Sequence, residues 1–587
     1  MFKFRSVSLC LLTTVLVAGC ASPGSTGAFI QAADLVLHNG KVLTADANLK
    51  VAQAIAIKDG KVVAVGNNAE VLSHAAAQTR RLDLKGKTVI PGIIDTHQHL
   101  DQEAILHFGA PQTPIGGATW PEIKANALAA AIRQAAAAPG GKWIFLTLPS
   151  SAKQMPTSTS PTAAPAMLSR GLFSLSELDA VAPQHPLMVK GERASILNTS
   201  AINLVRREFG TLCIDKGDPT GCVSSTTGVI ESADVRRIIV GDLVITNPRE
   251  LANVFEMEML ESASYGVTTF SIFLLGKYAP AAFNLLVREG RMPLRFANKD
   301  SLLYSFGNFT DRLWNLGCGI PVADGGYPNA ASTLPGGNQN GHILHPGSPA
   351  RAIVERCVRT GNRLYGFHAG GDVTLDVIMD IIEEQSKLAG MSIEEVRAHR
   401  HAIDHLTVNP RKDQIPRMKK LGLVMSAQPK YIVSTAPLIE ASVGSAFTNR
   451  VVPVKSLLDG GVKTVFGSDE HVPNVVFLNI ERLVTRKAKV GTTEKVLNPE
   501  ERIDRMTALL MATRWAGEYV LREDVLGSLE PGKWADLVVI DRDFLNIPDD
   551  EIRKTTVLLT AVGGKIVYAE PAFAQAEGLP QIGYRPR

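Results

Sequence analysis

Through the middle of this chain, short apolar runs alternate with amphipathic stretches of helical period. "RLYGFHAGG" (363–371) leads into "VTLDVIMDIIEEQSKLAG" (373–390), and "LGLVMSAQP" (421–429) is followed later by "KTVFGSDE" (463–470). A strand that leads into a helix before the next strand pairs in parallel, because the crossover brings the chain back in the same direction. The middle therefore predicts repeated βα units around a parallel sheet. The two ends read differently. "DLVLHNGKVLTAD" (34–46) and "QAIAIKDGKVVAVG" (53–66) are short strands with hairpin signals at Asn39-Gly40 and Asp59-Gly60. "GSLEPGKWADLVVIDRD" (527–543) and "VLLTAVGGKIVYAE" (557–570) repeat that style near the other terminus. The expectation is one small sheet domain assembled from both ends. A length of 587 residues suits more than one folding unit. Residues 108–180, rich in Ala, Pro, Ser and Thr, read as an insertion.

Several of the apolar runs end on a side chain that can bind metal. "IIDTHQHLD" (93–101) puts His97 and His99 one residue apart, and in an extended strand such residues point the same way. His368 ends "RLYGF", His405 ends "RHAIDH", and Asp469 ends "TVFGSD". The interval from His368 to His405 is about one βα unit and that from His405 to Asp469 about two, for a barrel of ~250 residues over eight units. Each residue singly also reads as a core histidine or a helix N-cap. Together they place four imidazoles and a carboxylate on the rim where strands hand over to loops. Side-by-side imidazoles suit a divalent metal, zinc first.

These motifs carry a family resemblance. "PGIIDTHQHLD", "GVTTF" (266–270), "ADGG" (323–326), "FHAGGD" (367–372), "AIDHL", "SAQP" (426–429), "FGSDEHVP", "GSLEPGKWADLVVID" and "VGGKIVY" occur in an order and spacing that resemble the amidohydrolase superfamily. The nearest branch is the one that includes N-substituted formamide deformylases, and the likeness runs from about residue 34 to 570. It implies an α/β fold: a (β/α)8 TIM-like barrel over 92–510, plus a small β-sandwich built from residues 34–91 and 511–570, with 571–587 as a tail. It also implies metal ligands His97 and His99 from the first strand, His368 from the fifth, His405 from the sixth, and Asp469 from the eighth as ligand and proton carrier. The activity implied is hydrolysis of a small or non-peptide amide C–N bond. Ester, lactone or carbamate hydrolysis at the same site, or a ligand-binding lipoprotein without catalysis, are the alternatives.

Two positions depart from the pattern. Where relatives have a "DGH"-like histidine, this chain has "GERAS" with Arg193; where they have a metal-bridging lysine, it has Ile320 in "CGIPVADGG". Lys190, ending "PLMVK", is the candidate to supply a lysine carbamate instead. Without it, one metal ion, or one tight and one weak, is expected. Arg193 and Lys430 are candidate clamps for a substrate carboxylate. Asp404, next to His405, points away from the metal if its segment is extended.

The N-terminus reads as a targeting segment. Lys3 and Arg5 precede "VSLCLLTTVLVAG", an apolar run too short to span a bilayer. "VAGC" resembles a lipobox, which makes Cys20 the lipidation site of a signal peptide over 1–20, followed by a tether over 21–33. Plain cleavage nearby is the alternative. Export to the periplasmic side, with a lipid anchor as the membrane contact, is the expectation. In that oxidising setting either Cys213 and Cys222 pair, or all four of Cys213, Cys222, Cys318 and Cys357 remain unpaired thiols. A net charge of +4, with no basic stripe, gives no reason to expect a nucleic-acid partner. The partner expected is a small-molecule substrate, and a homo-oligomer is compatible with the sequence.

Overall fold

In the computed structural model, residues 32–149, 171–191, 194–210, 223–230, 233–274, 276–299 and 310–584 are described. The middle of the chain builds two parallel four-stranded sheets. The first holds β1 (Ile93–Asp95), β2 (Val267–Phe270), β3 (Arg295–Asn298) and β4 (Leu313–Asn315), paired in that order. The second holds β5 (Phe367–His368), β6 (Ala402–Asp404), β7 (Val424–Ala427) and β8 (Lys463–Phe466), again in order. Every residue of β2, β3, β6 and β7 is buried. Burial on both faces is what a parallel sheet covered by helices imposes, and here it also encloses polar side chains such as Thr268, Arg295 and Asn298.

Short contacts connect the two sheets. Bridges Cys318↔Leu364 and Val322↔His368 run between the segment after β4 and β5. At the other edge, beyond β8, Asp469 N donates to His97 O at 2.9 Å and Ser468 N donates to Asp95 Oδ1 at 2.9 Å. Gly467 permits this approach, since a Cβ there would sit 2.3 Å from His97 N. Three helices matter for the site: α1 (Leu100–Ala104), α2 (Pro248–Ser264) and α3 (Asp372–Leu388). Asn247 caps α2 by accepting from Arg249 N, with Pro248 at the first helical position. Cys318 and Cys357 are disulfide-bonded, with Cα atoms 5.7 Å apart, so the segment after β4 is tied to the helix Pro349–Arg359.

Strands from both ends of the chain share one six-stranded sheet. In it Leu537–Ile540 pairs antiparallel with Thr88–Pro91, which in turn pairs with Lys41–Leu43. A four-stranded sheet, Lys61–Gly66, Ala54–Lys58, Leu35–His38 and Arg80–Asp83, shares with it an apolar cluster that includes Leu35, Ile55, Val89, Leu537 and Leu559. Asp59-Gly60 turns a hairpin, as its sequence predicts. Asn39-Gly40 does not. There the chain crosses from one sheet to the other, because Leu35–His38 pairs with Arg80–Asp83 while Lys41–Leu43 pairs with Thr88–Pro91.

Between α1 and α2 lies a five-stranded sheet with its own apolar cluster, running from Thr113–Pro114 to Val229–Ile230. The inserted unit thus extends past the boundary at 180 suggested by composition, since strands Leu187–Lys190 and Ser195–Leu197 belong to it. Among the described residues no helix is long and apolar enough to cross a membrane. The signal segment with Cys20, the Cys213/Cys222 pair and Arg193 lie outside the described residues.

Candidate metal centre

The strand β1 stops at Asp95; His97 follows it in a bend rather than in extended chain, and His99 is the residue just before Leu100–Ala104. They converge all the same. Their ring centroids are 5.2 Å apart, His97 lies 4.4 Å from His405, and His405 lies 3.9 Å from His368. Asp469 completes the group. Its Oδ1 is 2.9 Å from His99 Nε2 and 3.6 Å from His97 Nε2, and its Oδ2 is 3.6 Å from His405 Nδ1. The five side chains named from the sequence are therefore brought together, His368 from β5, His405 just after β6 and Asp469 just after β8.

Five further side chains hold this set in place. Asp404 Oδ2 is 2.6 Å from His97 Nδ1, which makes Nδ1 the natural donor and leaves the Nε2 lone pair facing the cluster. Lys299, one residue past β3, also contacts Asp404 Oδ2, and Tyr519 donates to Asp404 Oδ1 at 2.7 Å. On the other flank Tyr431 donates to Asp469 Oδ2 at 3.0 Å and lies 2.9 Å from His405 Nδ1. Asp324 Oδ1, 3.5 Å from His368 Nδ1, accepts from Gly370 N, and its Oδ2 accepts from Gly371 N, which fixes the turn after β5.

Electrostatics keep three of the imidazoles, His97, His99 and His405, neutral and the carboxylate ionised. Burial, with Arg237 beside it, lowers His99 to about 3. Burial and then Lys299 lower His97; burial and then His368 lower His405 well below the usual range. Burial alone would raise Asp469, but Lys430, His405 and His99 outweigh it and hold the carboxyl well below its ordinary value. Neutral imidazoles beside an ionised carboxylate are the protonation states a metal requires.

Orphaned atoms test whether a cation fits. His97 Nε2, His368 Nδ1 and His405 Nε2 are buried without a hydrogen-bond partner. Buried polar atoms normally have one. His97, His99 and Asp469 offer ligand atoms that all lie within 4.8 Å of one another. A divalent cation fits that donor set.

Other expectations are redirected. Lys430 is not free to clamp a substrate: its Nζ lies 2.8 Å from Asp469 Oδ2 and also bonds the Asp469 carbonyl. The lysine that sits with the histidines is Lys299, fully buried with Nζ 3.4 Å from His97 Nδ1, rather than Lys190. Lys190 belongs to the inserted sheet and lines a cavity instead. Asp404 faces the ligands, because His405 adopts φ 74° and the strand alternation that would turn Asp404 away is broken there. The cavity beside His99 measures about 310 Å³. Leu106, Phe145 and Met188 give it apolar wall, while Lys190, Arg236 and Arg237 bring positive charge against a single acid, Glu103.

Comparison with known proteins agrees with this geometry. Residues 80–568 match the profile described as the Amidohydrolase family. Over 567 residues the chain is 25% identical to N-substituted formamide deformylase of Arthrobacter pascens, covering 92% of this chain and 99% of that one. It is 24% identical to Protein LONG AFTER FAR-RED 3 of Arabidopsis thaliana, over 91% of this chain and 92% of that protein. Two crystal structures of uncharacterized metal-dependent hydrolases share the fold. The one from Pyrococcus horikoshii OT3 has a TM-score of 0.65 at 21% identity, covering 88% of this chain and 99% of that one. The one from Pyrococcus furiosus has a TM-score of 0.63 at 22% identity, covering 87% and 100%.

Proposed function

The chain belongs to the amidohydrolase family, and from that premise we propose that this metal-dependent hydrolase cleaves the C–N bond of a small, non-peptide amide. The observation that carries the reading is the gathering of four imidazoles beside the Asp469 carboxylate, with His97 Nε2 buried, partnerless and 3.6 Å from Asp469 Oδ1. His97, His99, His368, His405 and Asp469 would hold one divalent cation, zinc being the first candidate for this donor set. A cation bound there lowers the pKa of a contacting water and polarises a carbonyl oxygen.

The protein's own groups supply the rest. Asp469, kept ionised by Lys430, accepts a proton from the attacking water and returns it to the departing amine. Tyr431 and Lys430 fix the orientation of that carboxylate. The cavity beside His99 holds the substrate. Its apolar wall takes a hydrocarbon portion, and the excess positive charge of Lys190, Arg236 and Arg237 over Glu103 favours a substrate with an anionic end. Amide rather than ester cleavage is supported by the full-length likeness to a formamide deformylase.

The same reading extends to architecture and location. We take the two parallel sheets as halves of a (β/α)8 barrel, supported by the contacts at both of their edges. The two terminal sheets are read as the layers of a sandwich, supported by their common apolar cluster. Export behind the Lys3/Arg5 segment, with lipidation at Cys20, is supported by the Cys318–Cys357 disulfide, a bond that persists in oxidising compartments.

The test pairs metal analysis of protein purified without added metal with a screen of small N-substituted amides and matched esters, Asp469→Asn alongside. The expected result is at least one ion per chain, turnover of amides, and a loss of 10²–10⁴-fold in the variant, the range for a positioned general base. Ester turnover without amide turnover would move the reading to an esterase. Ligand binding without turnover in either form would overturn hydrolysis.

A further inference from the structure

Outside the centre just described, a second group of titratable side chains stands unused by the reaction. His107 lies in the π-helical turn Ile105–Gly109 that follows α1, Glu258 and Glu261 are one turn apart on α2, and His471 follows Asp469 by two residues. We propose that His107, Glu258, Glu261 and His471 form a separate divalent-cation site that pins the segment carrying Asp469 to helix α2.

Spacing is the first argument. His107 Nδ1 is 3.0 Å from Glu261 Oε2 and 3.6 Å from Glu258 Oε2. His471 Nδ1 is 2.9 Å from Glu258 Oε1, and His471 Nε2 is 3.7 Å from Glu261 Oε2. Four ligands about 2.0–2.2 Å from a tetrahedral cation stand roughly 3.3–3.6 Å from one another. The four distances, from 2.9 to 3.7 Å, bracket that range, one ligand atom from each residue lies within 4.8 Å of the others, and the two imidazoles meet at 70°.

The second argument is independent of spacing. Glu258 Oε2 and Glu261 Oε2 are buried and make no hydrogen bond, although His107 Nδ1, itself without one, lies close to both. The two carboxylates belong to residues that are 2% and 5% exposed. Two like charges buried side by side require compensation. A divalent ion with two neutral imidazoles cancels them, and so does a pair of imidazolium rings without any ion. The unmade hydrogen bonds favour the ion: buried carboxylate oxygens and a ring nitrogen lie close together with no hydrogen bond between them. Entry is open, since the His107 and His471 side chains remain 36% and 27% exposed.

What the ion would do follows from where its ligands sit. His471 and Asp469 share one short segment, whose inner end is fastened by Asp469 N to His97 O. Glu258 and Glu261 belong to a helix that packs on α1. An ion linking them fixes the outer end of that segment, so these residues position Asp469 without touching substrate.

The experiment uses the full chain, stripped with chelator, reloaded with Zn2+, freed of excess and assayed for bound zinc per chain. Wild type is compared with His107→Ala, a partly exposed position, and with Glu261→Gln, which keeps the side-chain shape; circular dichroism confirms the fold of each. The expected result is one zinc ion fewer per chain in both variants. Asp469→Asn with His107→Ala added should again lose one relative to Asp469→Asn alone, so the outcome stands even if the inner centre holds no zinc. Equal zinc content in wild type and both variants overturns the site and leaves a protonated ion-pair cluster.

Discussion

Two histidine–carboxylate clusters share the segment 467–471, one through Asp469 and the other through His471, and their imidazoles are held in opposite states. In the inner cluster, burial and neighbouring cations lower His97, His99 and His405, and the carboxylate is spoken for by Lys430 and Tyr431. In the outer cluster the carboxylates dominate. Burial alone would lower His471, but Glu258 and Glu261 raise it to about 9, and Glu258 raises His107. Burial and charge compensation make the difference: inside, Asp469 and Asp404 are paired with Lys430 and Lys299, whereas outside Glu258 and Glu261 face two imidazoles. The inner set is thus ready for a metal at neutral pH, while the outer set must release protons to take one.

The largest effect should come from Lys299, the cation that only the inner cluster has. It is fully buried against Asp404, which orients His97. Lys299→Met leaves Asp404 with His97 and Tyr519 but without its compensating charge. Breaking a buried pair from one side costs about 3–5 kcal/mol. A large drop in the denaturation midpoint is expected, together with loss of bound metal. Lys430→Met, at a side chain still 25% exposed, should cost about 1 kcal/mol or less while lowering turnover. Equal destabilisation by the two would show that burial of the cation is not what separates them.

His401 supplies a control in which burial acts with no carboxylate at all. It is fully buried, accepts from Leu364 N at 2.9 Å through Nδ1, and is lowered to about 3, by burial first and then by His399. The folded form therefore refuses a proton that the unfolded chain takes up below about 6.5. Stability from this residue is complete above that pH and is lost as pH falls towards 3, at ~1.4 kcal/mol per pH unit. His401→Asn keeps an acceptor for Leu364 N and should flatten the acid slope by one proton. The pH dependence of the unfolding midpoint in chelator-treated protein measures it, and an unchanged slope would refute burial as the cause.

The difference between the clusters also explains what could be read in the sequence. The inner ligands each end an apolar run at a strand-to-loop junction, so strand patterning revealed them. Lys299 obeys the same rule, since it closes "LRFANK", but the family resemblance directs attention to Ile320 and Lys190 instead. Asp404 reads as facing away because the left-handed φ of His405 cannot be seen in an apolar pattern. Glu258 and Glu261 left no motif. Two acids one turn apart on an amphipathic helix look like a solvated face, and only tertiary packing of α2 against the turn holding His107 buries them. The Asn39-Gly40 turn failed for a related reason: local turn chemistry was right, but which sheet each flanking strand joins is decided by partners at 80–83 and 88–91.

The smallest effect should come from a matched pair of tyrosines, one per cluster. Tyr431 donates to Asp469 Oδ2 at 3.0 Å, and Tyr265 donates to Glu261 Oε1 at 3.1 Å. Replacing either with Phe removes one hydrogen bond to a carboxylate, and about 1 kcal/mol of stability should be lost in both cases. Turnover should separate them. Tyr431→Phe frees the carboxylate that carries the proton and should lower kcat and shift its pH profile, whereas Tyr265→Phe should leave both as they are. If Tyr265→Phe slowed turnover as much as Tyr431→Phe, the two clusters would be acting as a single unit through residues 467–471, and their contrast would be one of charge alone, not of task.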